Sequence, residues 1–318
     1  MSTRPRIGVI LSSGGVRGVY AHTGFMRALQ EMGIHFDAIA GCSAGAIVGG
    51  IMASGTSLDN WTQSLDKMTQ QDFWQPDSIL KFLHSHLLDK GRGYMGLSST
   101  DPALNFTINN LSVKTFEECK VPFYSLAISL SDGEKTVFSS GELAPRIVAS
   151  AAVPILYEPV LIEGDLYCDG ALIDFAPTDA ICCKHNLDVV LVHHVSQNNA
   201  ATGDINKLKQ QPWALLEIAN RLLFRARPWY LNNQPLNIQH CPCDCGASIV
   251  AVEPDLPELR WPSIDGADQV LAAAHKQAIE QLHSYSDVFK SGTGNKLRSF
   301  INTISANLHA SHEGYLER

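Results

Sequence analysis

The feature that most constrains the fold is a glycine-flanked serine between a predicted strand and a predicted helix. Segment 41–45 reads Gly-Cys-Ser-Ala-Gly, after an apolar run at 36–40 and before a run of small apolar residues at 46–53. In such a nucleophile elbow the turn is so tight that side chains two positions either side of the serine would collide with backbone. The positive end of the following helix points at the serine hydroxyl. Either Ser43 is a nucleophile, or the segment is a glycine-rich connection without chemistry.

A second glycine-rich loop follows the first predicted strand, at 7–11. Residues 14–18 read Gly-Gly-Val-Arg-Gly and lead into a helix pattern, from Val19, that stops at Gly33. Successive backbone amides in such a loop form a concave site for an anion. One preorganised amide contributes roughly 3 kcal/mol when that anion is a tetrahedral oxyanion. We expect the amides of Gly14, Gly15 and Val16 to form this site.

Two other functions of glycine-rich loops do not fit this segment. A P-loop needs Lys-Ser or Lys-Thr after its last glycine, and neither follows Gly18. A dinucleotide fingerprint would place Ser13 where the first glycine belongs. Its acidic partner, Asp37, would lie at the start of the second strand, not at the end where a ribose binds.

A third segment presents a carboxylate at the end of a strand. Residues 160–166 predict a short hairpin with its turn at 163–165, and Asp169 follows beside Gly170. The preceding segment, 149–160, is rich in serine and alanine and contains Pro154 and Pro159.

With these segments in their order, the chain resembles the patatin-like phospholipases over roughly residues 6–200. That resemblance implies a three-layer α/β sandwich with a central, mostly parallel sheet. It also implies that Ser43 is the nucleophile of a Ser–Asp dyad and Asp169 its general base. Arg17 and Gly18 would support the oxyanion loop, and Gly41 and Gly45 would form the elbow. One departure is Ser13, where many members carry a further glycine.

The resemblance implies a serine hydrolase that cleaves fatty-acyl esters, with phospholipid or lysophospholipid as substrate and no metal or cofactor. A triad of Ser43, Asp169 and a histidine is the first alternative, with His193, His194 or His240 in the third place. The early position of the elbow, after the second strand, favours the dyad. A patatin-fold regulatory or scaffolding protein with little activity is the second alternative.

A carboxylate is a weak base, since its pKa in water is about 4. Partial desolvation would raise that pKa toward the working range. His193 and His194 follow an apolar run and point to opposite faces of the predicted strand, 187–195. One of them should therefore belong to the core. His22 is interpreted as a packing residue.

The composition excludes some partners. The chain has 318 residues, 45% of them hydrophobic, and a net charge of −8, which argues against nucleic acid and against a generally basic membrane surface. No signal peptide or membrane-spanning run is found, which predicts a cytoplasmic protein, with peripheral membrane contact as a further option. We therefore expect the eight cysteines to be free thiols.

The segment 240–245 is rich in cysteine. Cys241, Cys243 and Cys245 alternate with other residues, which is not the usual spacing of zinc ligands. Cys182 and Cys183 could supply a second pair, but adjacent cysteines rarely bind one ion. The sequence thus predicts a loop of free thiols.

We predict a catalytic domain over residues 1–290, with 201–262 as a divergent insertion or cap, and a linker with a short helix over 291–318. The stretch 213–230 combines an amphipathic helix with arginines and aromatic residues. It is either a contact with lipid headgroups or a core-packed helix. The oligomeric state is not determined by the sequence.

Overall fold

The computed structural model describes residues 4–196, 230–231, 236–243, 245–259, 261–285 and 289. The described strands are β1 Ile7–Leu11, β2 Ala38–Cys42, β3 Gly96–Ser98, β4 Phe123–Ser129, β5 Lys135–Phe138, β6 Ile155–Tyr157, β7 Val160–Ile162, β8 Asp165–Asp169, β9 Val189–His193, β10 Leu236–His240 and β11 Ser248–Val252. The described α-helices are α1 Gly15–Glu31, α2 Ala44–Ser54, α3 Leu58–Lys67, α4 Ile79–Leu88, α5 Asp101–Asn110, α6 Leu143–Ala151 and α7 Ala267–Leu282.

The central sheet has nine strands in the order β10-β11-β9-β1-β2-β4-β8-β7, and β5 also pairs with β4. The five strands from β11 to β4 in this order run parallel to one another. Antiparallel pairs flank them: β10 with β11 on one side, and on the other β4 with β5 and β8, followed by β8 with β7. The predicted α/β architecture with a parallel central sheet is confirmed. The predicted hairpin turn is confirmed as well, with Glu163 and Gly164 at positive φ.

The sheet is covered on both faces, which explains why its central strands are continuous apolar runs. Every residue of β1, β2 and β9 is buried. Ile7, Val9 and Leu11 share a core cluster with residues of α1, α2 and α7. Ile10 points to the other face and belongs to a cluster with residues of segment 176–187 and Tyr230. The two clusters are the two interfaces of the layered fold.

Two element boundaries differ from the predictions and both affect the loops at the sheet edge. Helix α1 begins at Gly15 instead of Val19, so the glycine-rich loop is also a helix N-terminus. Strand β2 covers 38–42, two residues later than the apolar run suggested. Asp37 lies just before it, where its carboxylate accepts from the amide of Ile7 and pairs with Arg4 at 2.7 Å.

The described part of 201–262 includes strands of the central sheet, since β11 pairs in parallel with β9. This part of the predicted insertion is therefore continuous with the sheet, while the division into domains stays a prediction. Except for buried Tyr230, the stretch 213–230 lies outside the described residues, as does 291–318. Among the described helices, none is both long and apolar enough to cross a membrane.

Candidate active site

Strand pairing brings the three predicted segments to one edge of the sheet. Leu11 of β1 is paired with Gly41 of β2, so the loops that follow these two strands leave the sheet side by side. Cys42 is paired with Leu126 of β4, and the next residue of β4, Ala127, is paired with Asp169. Asp169 therefore lies one residue pair beyond Cys42, which is the last residue of β2 and directly precedes Ser43.

The elbow has the tight geometry that its sequence predicts. A Cβ atom on Gly41 would lie 2.2 Å from the carbonyl oxygen of Gly45, and one on Gly45 would lie 2.0 Å from that of Leu11. Ser43 has φ 55° and ψ −119°, a conformation that side-chain-bearing residues rarely adopt. Its amide donates to Ser150 Oγ at 2.9 Å. Ser150 thus fastens the strained turn, a role that nothing in its local sequence indicates.

Asp169 is fully buried beside the elbow. Its Oδ1 accepts from the amide of Ala171 at 2.9 Å and lies 3.8 Å from Cys42 Sγ. Its Oδ2 is buried and has no hydrogen-bond partner in the part of the chain that the structure describes. No hydrogen bond joins Ser43 to Asp169 in the described structure, although the Ser43 side chain is close enough to lower the pKa of the carboxyl group. One carboxylate oxygen is therefore available as an acceptor.

Burial sets the proton affinity of this carboxylate. Desolvation raises the pKa of Asp169 to about 6, against the smaller lowering by the Ala171 amide, Ser43 and Cys42. A carboxylate with a pKa near the working pH is ionised at neutral pH and still basic enough to accept a hydroxyl proton during reaction. This is the property that the base of a Ser–Asp dyad needs.

No histidine in the described part of the chain makes a hydrogen bond to Ser43 or Asp169. His193 Nδ1 lies 2.8 Å from His22 Nδ1, and His194 Nδ1 lies 3.1 Å from the hydroxyl of Tyr230. Both of these β9-end histidines are buried, although the sequence placed only one in the core. His240 is exposed at the end of β10. The arrangement gives the triad no support.

The glycine-rich loop leaves backbone amides unused at the same edge. Gly15 opens α1 with φ 58°, and the first amides of a helix have no partner within it. The amides of Gly14, Gly15 and Val16 make no hydrogen bond to any described residue. A Cβ atom on Gly18 would lie 2.8 Å from that of Ala44, so its absence lets α1 approach the start of α2. These features suit an anion site beside Ser43.

A buried pair of histidines, His22 and His193, fixes the position of Ser12, which precedes this loop. His22 Nε2 lies 2.7 Å from the carbonyl oxygen of Ser12, which can only accept. Burial lowers the pKa of His22 to about 4, so the ring is neutral and its Nδ1 is an acceptor. His193 Nδ1 must then donate to it, which leaves His193 Nε2 without a hydrogen. The interpretation of His22 as a packing residue missed this bridge, because it depends on the pairing of β9 with β1.

Ser12 also connects the two loops. Its carbonyl accepts from the amide of Gly45 at 3.1 Å, and its hydroxyl accepts from the amide of Val195 at 2.9 Å. Arg17 faces acidic residues beyond β11: burial lowers the pKa of its guanidinium, while Asp255 and Glu258 raise it. Its predicted contact with loop carbonyls stays a prediction.

At this edge the described residues form no group of three or more His, Cys, Asp or Glu side chains close enough to share a metal ion. The described residues hold one group of side chains close enough to share a metal ion, formed by cysteines 182, 183, 241 and 243. None of the predicted catalytic residues belongs to it.

Comparison with known proteins identifies relatives. Residues 9–181 match the family model of the patatin-like phospholipases. The chain is 32% identical over 222 residues to an uncharacterized NTE family protein of Mycobacterium bovis, covering 70% of this chain and 57% of that protein. It is 27% identical over 208 residues to lysophospholipase NTE1 of Cryptococcus neoformans, covering 63% of this chain and 12% of that protein. Human GIVD cytosolic phospholipase A2 superimposes with a TM-score of 0.49 at 13% identity, covering 94% of this chain and 60% of that chain.

Proposed function

The chain belongs to the patatin-like phospholipase family, and from this premise we propose that it is a lipid acyl hydrolase with a Ser–Asp dyad. The observation that carries the proposal is the strained Ser43 beside a buried carboxylate whose Oδ2 has no partner in the described chain. A buried charge lowers the stability of a protein. A scaffold protein would gain no activity from it and would have no need to keep such a carboxylate desolvated.

In this mechanism Ser43 Oγ attacks the ester carbonyl while Asp169 Oδ2 accepts the hydroxyl proton. The carbonyl oxygen becomes an oxyanion, and the amides of Gly14, Gly15 and Val16 donate to it. Collapse of the tetrahedral intermediate releases the alcohol, which takes the proton from Asp169. The resulting acyl-enzyme is then hydrolysed by water, with Asp169 again as the base. The strained elbow keeps the Ser43 hydroxyl at this edge of the sheet in every step of the reaction.

An exposed apolar helix supports a lipid as the substrate. In α4, Ile79 and Leu80 are 77% and 79% exposed, and Leu87 and Leu88 are 74% and 69% exposed. Exposed apolar surface of this kind marks interaction sites, because water does not favour it. Lys90 and Arg92 lie just after the helix, so cations accompany the apolar side chains, and Lys81 within the helix pairs with Asp77 at 2.8 Å.

The position of α4 fits the same role. The strand that follows it, β3, pairs with β6, which begins at Ile155. Just before β6, the carbonyl of Ala152 accepts from the amide of Asp169 at 3.0 Å. Ile155 and Ile173 are both exposed close to these residues in the chain. We propose that α4 inserts its apolar side chains among lipid headgroups and so brings an acyl ester to Ser43.

A fluorophosphonate probe tests the nucleophile. We expect covalent labelling of the unmodified protein and none of Ser43→Ala. The control Ser64→Ala, at a partly exposed serine of α3, should be labelled like the unmodified protein. Hydrolysis is then measured over a panel of phospholipids, lysophospholipids and soluble esters. An unlabelled, inactive protein that is nevertheless folded would favour the regulatory or scaffolding alternative.

The contact with lipid is tested separately from the chemistry. Leu80→Glu with Leu87→Glu should weaken binding to phospholipid vesicles and lower hydrolysis of vesicle lipid, while hydrolysis of a soluble ester is unchanged. Leu130→Glu is the matched control, an exposed leucine in the β4–β5 turn. Equal loss with both variants, or no loss with either, would contradict a role of α4.

A further inference from the structure

Cysteines from two distant parts of the chain meet at the surface of the protein. Cys182 and Cys183 follow a short helical turn at Thr178–Ala180, and Cys241 and Cys243 lie between β10 and β11. Their four sulfur atoms all lie within 4.8 Å of one another. The sequence predicts free thiols here, because adjacent cysteines such as Cys182 and Cys183 rarely bind one ion. Folding nevertheless brings both of them next to Cys241 and Cys243.

The distances match one tetrahedral ion. A zinc ion binds cysteine sulfur at about 2.3 Å, so ligands at the corners of a tetrahedron are about 3.8 Å apart. Cys182 Sγ lies 3.8 Å from Cys243 Sγ and 3.4 Å from Cys183 Sγ. Both separations are far longer than the roughly 2.05 Å of a disulfide bond. Four sulfurs so close together would fit around a single ion, since a cluster of several irons would spread them further apart.

We propose that Cys182, Cys183, Cys241 and Cys243 bind one Zn²⁺ in a structural site. Four thiolates are a ligand set that zinc favours, and a closed set of four leaves no position for substrate. Cys182 and Cys241 are buried, whereas Cys183 and Cys243 are exposed, so the ion would have a route from solvent. A fifth cysteine, Cys245, is left outside the set because its Sγ contacts the carbonyl oxygen of Cys182 at 3.4 Å.

The site would join two elements that the backbone joins only over a long stretch. Cys182 and Cys243 are 61 residues apart in the chain. Cys182 belongs to the segment that follows Asp169 and covers one face of the sheet. Cys243 belongs to the hairpin of β10 and β11, in which β10 is the last strand on that side of the sheet. A link across so long a loop stabilises the folded state by restricting the unfolded chain. Binding is not a redox step, and each thiol that becomes a ligand releases its proton.

Metal content tests the proposal directly. The full chain is produced in zinc-supplemented medium, purified without chelators under reducing conditions, and assayed by mass spectrometry for bound metals. We expect about one zinc per chain, as four-cysteine sites require. Cys182→Ser and Cys241→Ser should lose that zinc, while Cys119→Ser, a half-buried cysteine elsewhere, should retain it. A folded, zinc-free protein in which the exposed Cys183 and Cys243 both react with a thiol reagent would overturn the proposal.

Cobalt binding keeps the test decisive where a serine variant fails to fold. Zinc is removed from the unmodified protein with a chelator, and Co²⁺ is added in its place. We expect the intense thiolate-to-cobalt absorption of a tetrahedral site in both the unmodified protein and Cys119→Ser. The chelated protein should unfold at a lower temperature than the zinc-loaded one. A protein that is folded by circular dichroism and labelled by the fluorophosphonate, yet shows no such absorption, would also overturn the proposal.

Discussion

Replacing Asp169 with asparagine should inactivate the protein and stabilise it in the same step. The carboxylate is fully buried, and desolvation raises its pKa from 3.8 to about 6. Asparagine keeps the shape and the acceptor for the Ala171 amide but carries no charge. Its amide group can also donate toward Ser43. As a base it is inert, so kcat/KM should fall by about 10²–10⁴-fold.

The stability change has a defined sign and pH window. A carboxyl group whose pKa is higher in the folded state stabilises the fold below its unfolded pKa of 3.8, and this contribution is lost as the pH rises through about 6. A shift of about two units corresponds to roughly 3 kcal/mol at 1.36 kcal/mol per unit. At pH 8, Asp169→Asn should therefore be more stable than the unmodified protein by up to about 3 kcal/mol, and at pH 4 by only about 0.5 kcal/mol.

Thermal unfolding at both pH values measures this difference. The entropy of unfolding of a chain of 318 residues makes 3 kcal/mol equivalent to a rise in Tm of about 4 °C. Asp169→Ala is a useful companion, since it removes the charge and also the acceptor for the Ala171 amide, and should gain less. An Asp169→Asn variant that is less stable at pH 8, by the same amount as at pH 4, would refute the argument that the buried charge is costly.

Four further outcomes are expected. The kcat/KM for a soluble ester should fall about ten-fold per pH unit below about pH 6 and level off above it, because Asp169 must be ionised; a flat profile would contradict its role as base. Gly15→Ala should lower kcat by about 100-fold, since φ 58° strains any side chain and the amide would turn away; near-normal kcat would mean that the loop does not bind the oxyanion. Ser150→Ala should destabilise the protein by about 1 kcal/mol in urea unfolding, through loss of the acceptor for the Ser43 amide. His193→Asn should leave the apparent pKa of the rate profile unchanged, and a shift would indicate that the histidine takes part in the proton transfer.

Gly15 and Gly14 are required for different reasons. A Cβ atom on Gly15 would contact no described protein atom within 4 Å. The requirement for glycine comes instead from its positive φ. Gly14 is the crowded position, since a Cβ atom there would lie 2.7 Å from the Cα of Gly18.

The features that the sequence by itself determined are local ones. The elbow at 41–45 was predictable because the collisions that demand Gly41 and Gly45 involve residues only a few positions away or on the next strand. The apolar runs placed β1 and β9 because buried parallel strands tolerate few polar side chains. The turn at 163–165 was predictable because a glycine there favours the positive φ that a tight hairpin needs.

Only the tertiary structure decided which remote groups touch and how strongly they hold their protons. Asp169 lies beside the elbow because β8 pairs with β4, and its pKa is raised because the fold excludes water from it. His22 meets His193 because β9 pairs with β1, and Cys182 meets Cys243 once the sheet and its covering segment are assembled. Residue patterns record turn sterics and periodicity over a few positions. Contacts and desolvation across 60 to 170 residues depend on the packing of the whole chain.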